Sequence, residues 1–212
     1  ASSLKGVTMI WSIINAKGGV GKTTAAILLA AALHETGRMV RVKDADPQGS
    51  ASSWAECTLS NADPLGFPVE PANKATLQHL VAGPEEVVII DTPPGNGDII
   101  TAAIRAADLV IIPTDTSGLD MARTWETHDA AAGTPRVVLL SKAEPNTSLF
   151  KEGRDLLAND SQTQLVDHVI PKRQVIKRAY GCTPEPETIA FFADVADELL
   201  ELSLIHISEP TR

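Results

Sequence analysis

The chain has 212 residues, of which 43% are hydrophobic and 21% are charged. These values are typical of a globular protein and exclude a fibrous or wholly disordered one. The formal net charge of −9 argues against a surface coated in positive charge for nucleic acid, although it leaves room for a local basic patch. The two cysteines, Cys57 and Cys182, are too few for a disulfide framework, and we interpret them as reduced thiols of a cytoplasmic protein.

Both ends of the chain look foreign to the domain. Residues 1–8 show no apolar periodicity, and we interpret them as upstream residues. Residues 202–212 resemble the translated adapter of a transposon-type sequencing library, so we expect a non-native tail there; the alternative is a genuine tail after the last helix. The predicted domain therefore covers residues 9–201.

Strand-like and helix-like segments alternate along this domain. The predicted strands are 10–15, 39–44, 87–91, 109–113, 137–141 and 166–170. The predicted helices are 23–36, 50–56, 73–81, 99–106, 119–131, 148–157, 174–180 and 187–201. Residues 61–71, with three prolines, are predicted to be mostly loop. Because the strands are apolar throughout, we expect an α/β protein with a mostly parallel twisted sheet and helices on both faces.

A glycine-rich loop, Ala16-Lys-Gly-Gly-Val-Gly-Lys-Thr23, joins the first predicted strand to the first predicted helix. It fits the phosphate-loop (P-loop) pattern of nucleotide hydrolases, with Ala16 in place of the leading glycine. Such a loop directs backbone amides at phosphate oxygens, and the helix N-terminus adds positive potential. We expect Lys22 to contact the β- and γ-phosphates of ATP and the Thr23 hydroxyl to bind Mg²⁺. The predicted nucleotide-binding residues are Lys17, Gly18, Gly19, Val20, Gly21, Lys22, Thr23 and Thr24.

Three aspartates follow predicted strands. Asp44 and Asp46 end the second strand and point to the same side, whereas Asp91 ends the apolar run Val87-Val-Ile-Ile. Phosphoryl transfer to water needs anions that hold Mg²⁺ and a group that orients the water. We therefore expect Asp91 to hold Mg²⁺ together with Thr23. Without the phosphate loop, the Asp44 block would be interpreted as a simple turn.

The second lysine of the loop, Lys17, completes the deviant signature Lys-Gly-Gly-Val-Gly-Lys-Thr-Thr, and with it the sequence resembles the ParA/MinD superfamily of dimerising ATPases. The blocks Asp44-Ala-Asp-Pro-Gln and Asp91-Thr-Pro-Pro are also similar to that superfamily. The resemblance implies a homodimer that sandwiches ATP, in which Lys17 contacts phosphate bound by the other subunit; a solvated surface lysine is the alternative. It further implies that Asp46 orients the water and that Asp44 supports the metal. The implied catalytic residues are Lys17, Lys22 and Asp46.

Details of the sequence favour one branch of this superfamily. The Asp-Pro-Gln-Gly block resembles the partition (ParA) branch, and the short N-terminal part resembles the ParF-like members. Residues 185–201 carry six acids and no Lys or Arg, which disfavours binding to an anionic membrane. Ser141-Lys-Ala-Glu-Pro matches no pattern from which adenine contacts can be assigned.

A basic segment near the C-terminal end carries Lys172, Arg173, Lys177 and Arg178 without an acid. Such a cluster neutralises a few DNA phosphates, and members of the resembled family bind DNA non-specifically in the ATP state. The alternatives are a solvated basic helix, or Arg173 serving the nucleotide pocket. We find no base-reading motif, so we expect DNA binding without sequence specificity.

We therefore predict an ATP-dependent DNA partition ATPase that is cytoplasmic and nucleoid-associated. ATP and Mg²⁺ close the dimer on DNA, hydrolysis to ADP and phosphate releases it, and a ParB-like or ParG-like adaptor on the cargo is the expected partner, with no membrane partner. Two alternatives remain open: an ATP-dependent synthase of the dethiobiotin type, and another cargo-positioning ATPase or scaffold. The cargo is not specified by the sequence.

Overall fold

The computed structural model describes residues 8–95, 97–116, 118–161 and 163–208, without side chains at 118–121 and 206–208. Most of the predicted upstream segment and the last four residues of the predicted tail lie outside the described residues. Within the described residues, the strands are β1 (Met9–Ile13), β2 (Met39–Asp44), β3 (Val69–Pro71), β4 (Glu86–Asp91), β5 (Leu109–Thr114) and β6 (Arg136–Leu140). The helices are α1 (Lys22–Glu35), α2 (Ser50–Ser60), α3 (Lys74–Gln78), α4 (Asp98–Ala106), α5 (Gly118–Ala130), α6 (Ser148–Ala158), α7 (Gln174–Arg178) and α8 (Pro186–Ser208).

The strands form one parallel sheet with the order β3-β2-β4-β1-β5-β6. The predicted α/β class with a mostly parallel sheet is thereby confirmed. Asp91, the last residue of β4, pairs with Ile13 on one side and with Asp44 on the other. The carboxyl ends of β1, β2 and β4 therefore meet at one edge, where ligands bind in sheets of this kind.

The sheet is buried on both faces, because alternate residues of its strands enter two separate hydrophobic cores. In β4, Val87 and Ile89 belong to the core on one face, and Val88 and Ile90 to the core on the other. The first core includes α1, whose residues from Ala25 to Leu33 are all buried, and the inner side of α8. The second includes α4 and α6. Helices thus cover both faces, as the apolar strands predicted.

Residues 61–71 are mostly loop, as predicted, but the last three of them form β3, which pairs with β2 at the edge of the sheet. That position tolerates proline because one side of an edge strand needs no ladder partner. The strand predicted at residues 166–170 was wrong, because the isolated bridges in this region are made by the flanking residues Leu165 and Pro171. The amides of Asp167 and His168 donate to the carboxylate of Glu198, at 2.6 and 3.0 Å, instead of joining the ladder.

Helix α8 continues past Glu201, the last residue predicted to be helical, into the predicted tail. The Oγ of Ser203 accepts a 2.9 Å hydrogen bond from Nε1 of the buried Trp11, and Leu202 and Leu204 pack against the core. The non-native origin of the tail stays a prediction. Nowhere in the described ranges is a helix both long enough and apolar enough to cross a membrane.

Candidate nucleotide-binding site

The glycine-rich loop leaves β1 through a buried asparagine. The side-chain amide of Asn15 donates to the Pro113 carbonyl at 2.8 Å, and its Oδ1 accepts from the Lys17 amide, also at 2.8 Å. Asn15 therefore fixes the start of the loop against β5. Further along, Gly19 and Gly21 have φ values of 75° and 94°, a left-handed conformation that other residues adopt only with strain.

Helix α1 begins immediately after Gly21, so the loop delivers its last amides to the N-terminus of a helix. The first amides of a helix have no partner within the helix, and Gly21 has no side chain to cap them. With the positive end of the helix dipole, they favour an anion at this position. The backbone of the loop is therefore suited to an anion, and phosphate binding by it stays a prediction.

Lys22 lies inside the loop that precedes it. Its side chain is buried, and Nζ donates to the carbonyls of Asn15 and Lys17 at 3.2 and 3.1 Å. Burial lowers the pKa of Lys22, while the charges of Asp91 and Asp46 oppose that shift. The ammonium group is thus held at the centre of the loop, next to two of the three predicted carboxylates.

Asp91 is the most perturbed acid of the site. It is buried, and neither carboxylate oxygen has a hydrogen-bond partner in the part of the chain that the structure describes. Burial raises its pKa from 3.8 to about 7, helped by Asp44 and opposed by the side chains of Thr23 and Lys22. A buried carboxylate without a partner is costly unless it takes up a proton or binds a cation. Asp91 and the neighbouring Thr23 therefore fit the predicted Mg²⁺.

Asp44 uses its carboxylate differently from Asp91. Its Oδ2 accepts from the amide and the hydroxyl of Ser52, both at 2.7 Å, and Oδ1 accepts from the Asp46 amide at 3.2 Å. It therefore fastens the first turn of α2 to the end of β2. The role of Asp44 at the metal stays a prediction, because the structure shows it as an anchor for α2. Asp46 is half-buried, and its Oδ1 accepts from the Gln48 amide at 2.9 Å.

The number of protein ligands around Asp91 is small. Among the described residues, no group of three or more His, Cys, Asp or Glu side chains converges on one point. Mg²⁺ is normally held in nucleotide sites by one or two protein oxygens, with phosphates and water as the remaining ligands. The arrangement thus suits a cation that arrives with a nucleotide better than a permanently bound metal.

Two residues after β6 brace the loop and were missed by the sequence analysis. The hydroxyl of Ser141 donates to the Val20 carbonyl at 3.1 Å, and Nζ of Lys142 donates to the Gly19 carbonyl. Lys142 itself has a φ of 53°, unusual for a residue other than glycine. A signal was present, because these residues follow a parallel strand and must lie at the same edge as the loop.

A cavity opens between the phosphate loop and the segment before α8. Its walls include residues of the loop, the two bracing residues and the basic segment, namely Val20, Gly21, Thr24, Ser141, Lys142, Ile170, Pro171, Lys172, Arg173, Ile176 and Lys177. A mainly apolar cavity next to a phosphate site has the character of a pocket for a nucleotide base. The alternative considered for Arg173, service in a nucleotide pocket, therefore gains support.

The four predicted DNA-binding residues lie close together but differ in surroundings. All are exposed, and Lys177 and Arg178 lie in the last turn of α7. Nζ of Lys172 forms a 2.9 Å ion pair with Glu144, which raises the pKa of that lysine. Lys172, Arg173 and Lys177 line the cavity, whereas Arg178 lines a different groove, next to Cys182.

A protein-family model described as the CobQ/CobB/MinD/ParA nucleotide binding domain matches residues 11–181. This chain belongs to that family. The match covers the loop, all three site aspartates, the bracing residues and the basic segment. The resemblance to the ParA/MinD superfamily is thereby confirmed, and the role of the glycine-rich loop in binding the nucleotide stays a prediction.

Two curated proteins and one solved structure illustrate what this chain is similar to. The maintenance of carboxysome distribution protein A of Gloeobacter kilaueensis is 40% identical over 175 residues, covering 80% of this chain and 76% of that protein. The chromosome-partitioning ATPase Soj of Thermus thermophilus is 31% identical over 195 residues, covering 74% and 75%. A putative plasmid partition protein of Borrelia burgdorferi bound to AMPPNP has the same fold, with a TM-score of 0.75 and 17% identity over 92% of this chain and 99% of that chain.

Proposed function

We propose that this chain is an ATP-dependent positioning ATPase of the ParA type. In this proposal, ATP with Mg²⁺ closes two copies into a dimer, the dimer binds DNA without sequence specificity, and hydrolysis to ADP and phosphate releases it. The proposal is carried by the buried carboxylate of Asp91, which lacks a hydrogen-bond partner among the described residues and lies beside the lysine of a phosphate loop. Such a carboxylate suits a site that receives a cation and a triphosphate together.

The residues of the loop supply binding and charge neutralisation. Lys22 would exchange the carbonyls of Asn15 and Lys17 for oxygens of the β- and γ-phosphates, while the loop amides hold the phosphate chain. Thr23 and Asp91 would hold Mg²⁺, which neutralises phosphate charge when it is bound. Asp46 would accept a hydrogen bond from the attacking water and so orient it. Lys17 would act across the dimer, on the nucleotide of the second copy.

The basic segment is the proposed contact with DNA. Its four cations lie at the protein surface, and two copies in a dimer double the number of phosphates that they can neutralise. Because three of them also line the cavity beside the loop, Arg178 is the residue whose role is most separable from nucleotide binding. Retention on the nucleoid would follow from this contact.

Two cargoes are supported by different relatives. The Thermus protein is a chromosome-partitioning ATPase, which supports our first proposal, that the cargo is DNA linked through a ParB-like or ParG-like adaptor. The Gloeobacter protein maintains carboxysome distribution and has the higher identity, 40%, which supports a second candidate, positioning of a protein compartment. Both candidates use the same nucleotide cycle, and they differ only in the adaptor.

The nucleotide cycle can be tested with the purified chain. We expect phosphate release from ATP that requires Mg²⁺ and rises when DNA is added, and we expect Lys22→Ala to abolish nucleotide binding in calorimetry. If the unaltered chain binds no adenine nucleotide with Mg²⁺, the proposed function is wrong. The cargo is tested in cells that lack the gene: loss of evenly spaced plasmid or chromosome markers supports the first candidate, and loss of evenly spaced compartments supports the second.

A further inference from the structure

The two cysteines, which are distant in sequence, lie in neighbouring segments of the fold. Both thiols are exposed, Cys57 on α2 and Cys182 in the turn that follows α7. A β-carbon at position 181 would lie 3.5 Å from Cβ of Cys57 and 3.8 Å from its Sγ. Position 181 is thus within van der Waals distance of Cys57, and Cys182 is the next residue in the chain.

Three contacts hold this turn along one face of α2. The indole Nε1 of Trp54 donates to the Cys182 carbonyl at 2.8 Å, and the rings of Trp54 and Tyr180 lie 5.3 Å apart. The Tyr180 hydroxyl lies 3.5 Å from the carbonyl of Ser50. Ser50, Trp54 and Cys57 are spaced by four and three residues, so they share one helix face. Residues 180–182 run along that face, on which Cys57 is the next residue after Trp54.

We propose that Cys57 and Cys182 form a reversible dithiol–disulfide pair that fastens α2 to the turn after α7. Disulfides join cysteines whose Cβ atoms are about 3.5–4.5 Å apart, a spacing that position 181 already has from Cys57. Cys182 is the next residue, so the bond forms when the exposed turn shifts by about one residue and gives up the hydrogen bond from Trp54 Nε1 to the Cys182 carbonyl. The proposal is independent of the proposed function.

The oxidant in this proposal is a small-molecule disulfide such as glutathione disulfide. One cysteine thiolate attacks a sulfur of the oxidant, which forms a mixed disulfide and releases one glutathione thiolate. The second cysteine, as its thiolate, attacks the protein sulfur of that mixed disulfide and releases the other glutathione. In total the two cysteines are oxidised to one disulfide, one glutathione disulfide is reduced to two thiols, and the two cysteine protons pass to the released thiolates.

The bond would join two functional parts of the molecule. Helix α2 follows the Asp44–Gln48 segment and is anchored to β2 by Asp44, whereas α7 carries the basic residues Lys177 and Arg178. A covalent link between residues 57 and 182 would therefore restrain α2 relative to the basic segment. We expect slower opening of α2 in the oxidised protein.

The full chain treated with glutathione disulfide tests the pair. After free thiols are blocked and trypsin is added, we expect mass spectrometry to detect residues 44–74 linked to residues 179–212, and dithiothreitol to reverse the link. Cys57→Ser and Cys182→Ser should each carry glutathione on the remaining cysteine instead. Separate glutathione adducts on both cysteines of the unaltered chain, or disulfide-linked chain pairs on a non-reducing gel, would overturn the proposal.

A second measurement tests the fastening of α2. Hydrogen exchange of the α2 amides should be slower in the oxidised chain than in the reduced chain, because local opening is restrained. The Cys57→Ser variant exposed to the same oxidant should show no such difference. A linked peptide without any change in α2 exchange would refute the fastening.

Discussion

The amide of Gly95 donates a 3.0 Å hydrogen bond to the carbonyl of Ala16, which joins the turn after Asp91 to the first residue of the phosphate loop. A second contact supports it, since the hydroxyl of Thr92 donates to the Ile13 carbonyl at 2.7 Å. From the other side, the Ala16 amide donates to Thr127 Oγ1 at 3.1 Å. The turn that follows Asp91 and the start of the glycine-rich loop are therefore joined by hydrogen bonds into one connected unit.

Asp91 should make the stability of the nucleotide-free protein depend on pH. Because burial raises its pKa from 3.8 to about 7, the folded state keeps a proton between about pH 4 and pH 7 that the unfolded state has lost. This contribution lowers the unfolding free energy as pH rises through that window, by on the order of 4 kcal/mol in total, and is constant above it.

Asp91→Asn removes this contribution. In urea denaturation with a chelator present, we expect the stability of the variant relative to the unaltered protein to increase from pH 5 to pH 7 and then to level off. Asp194→Asn, at an exposed position on α8, serves as the control and should show no such increase. A difference for Asp91→Asn that is the same at every pH would contradict the assignment.

The conformation of the phosphate loop predicts unequal effects of alanine at neighbouring glycines. Gly21→Ala places a β-carbon on a residue with a φ of 94° and should lower the unfolding free energy by about 1–2 kcal/mol. In Gly18→Ala the new β-carbon would lie 3.9 Å from the side chain of Pro94, an ordinary van der Waals contact. This variant should change the unfolding free energy by less than about 0.5 kcal/mol. Urea denaturation of both variants decides the point; equal losses would show that the backbone conformation is not the cause.

Replacing Lys17 and replacing Lys22 should impair different steps of the nucleotide cycle. Lys17→Ala is expected to keep nucleotide binding by the single chain within a few-fold but to prevent dimer formation, because its proposed contact lies in the second subunit. Light scattering with Mg²⁺ and a slowly hydrolysed ATP analogue measures the dimer, and Lys22→Ala, which should lose nucleotide binding itself, provides the comparison. A Lys17→Ala protein that still dimerises would exclude the role across the interface.

Asp46→Ala should separate binding from hydrolysis. Without the carboxylate that orients water, we expect phosphate release to fall by roughly 100-fold while an ATP-bound dimer accumulates on DNA. Glu56→Ala, at an exposed position on α2, removes a nearby acid and should leave the rate unchanged. Turnover by Asp46→Ala at the normal rate would remove Asp46 from the mechanism.

Arg178→Glu tests the DNA contact without altering the cavity wall. Its charge change is the same as that of Lys151→Glu on the exposed side of α6, so overall charge is matched between the two variants. We expect Arg178→Glu to weaken DNA binding and to reduce the slope of log affinity against log salt by about one, with little effect from Lys151→Glu. Equal effects of the two variants would mean that only net charge matters.

The parts of the fold that were predictable are those with a local signal. An apolar strand, three glycines, Lys22 and an alanine-rich helix are contiguous, so residues 10–36 alone predict the loop and its position at the sheet edge. The same holds for Asp91, which ends a continuous apolar run. These features can be predicted because the residues that define each of them are adjacent in the sequence.

The features that were missed depend on distant partners. Lys142 and Gly19 are separated by 123 positions, and nothing near Lys142 identifies the loop carbonyl as its acceptor. The strand expected at 166–170 was diverted by Glu198, which lies about 30 residues later. The two carboxylates of Asp44 and Asp91, similar in sequence context, differ because only Asp44 meets the donors of Ser52. Which residues become hydrogen-bond partners in these cases is determined only when the whole sheet has assembled.

The hydrogen bond from Trp11 to Ser203 joins positions 192 residues apart, between the first strand and the last helix. Strand β1 also pairs with β4 on one side and β5 on the other, so it is synthesised before both of its neighbours in the sheet. Loop closure over such separations slows folding. During translation, α1 can cover this face of β1 early, but the polar edge of the Trp11 indole keeps water as its partner until Ser203 has left the ribosome.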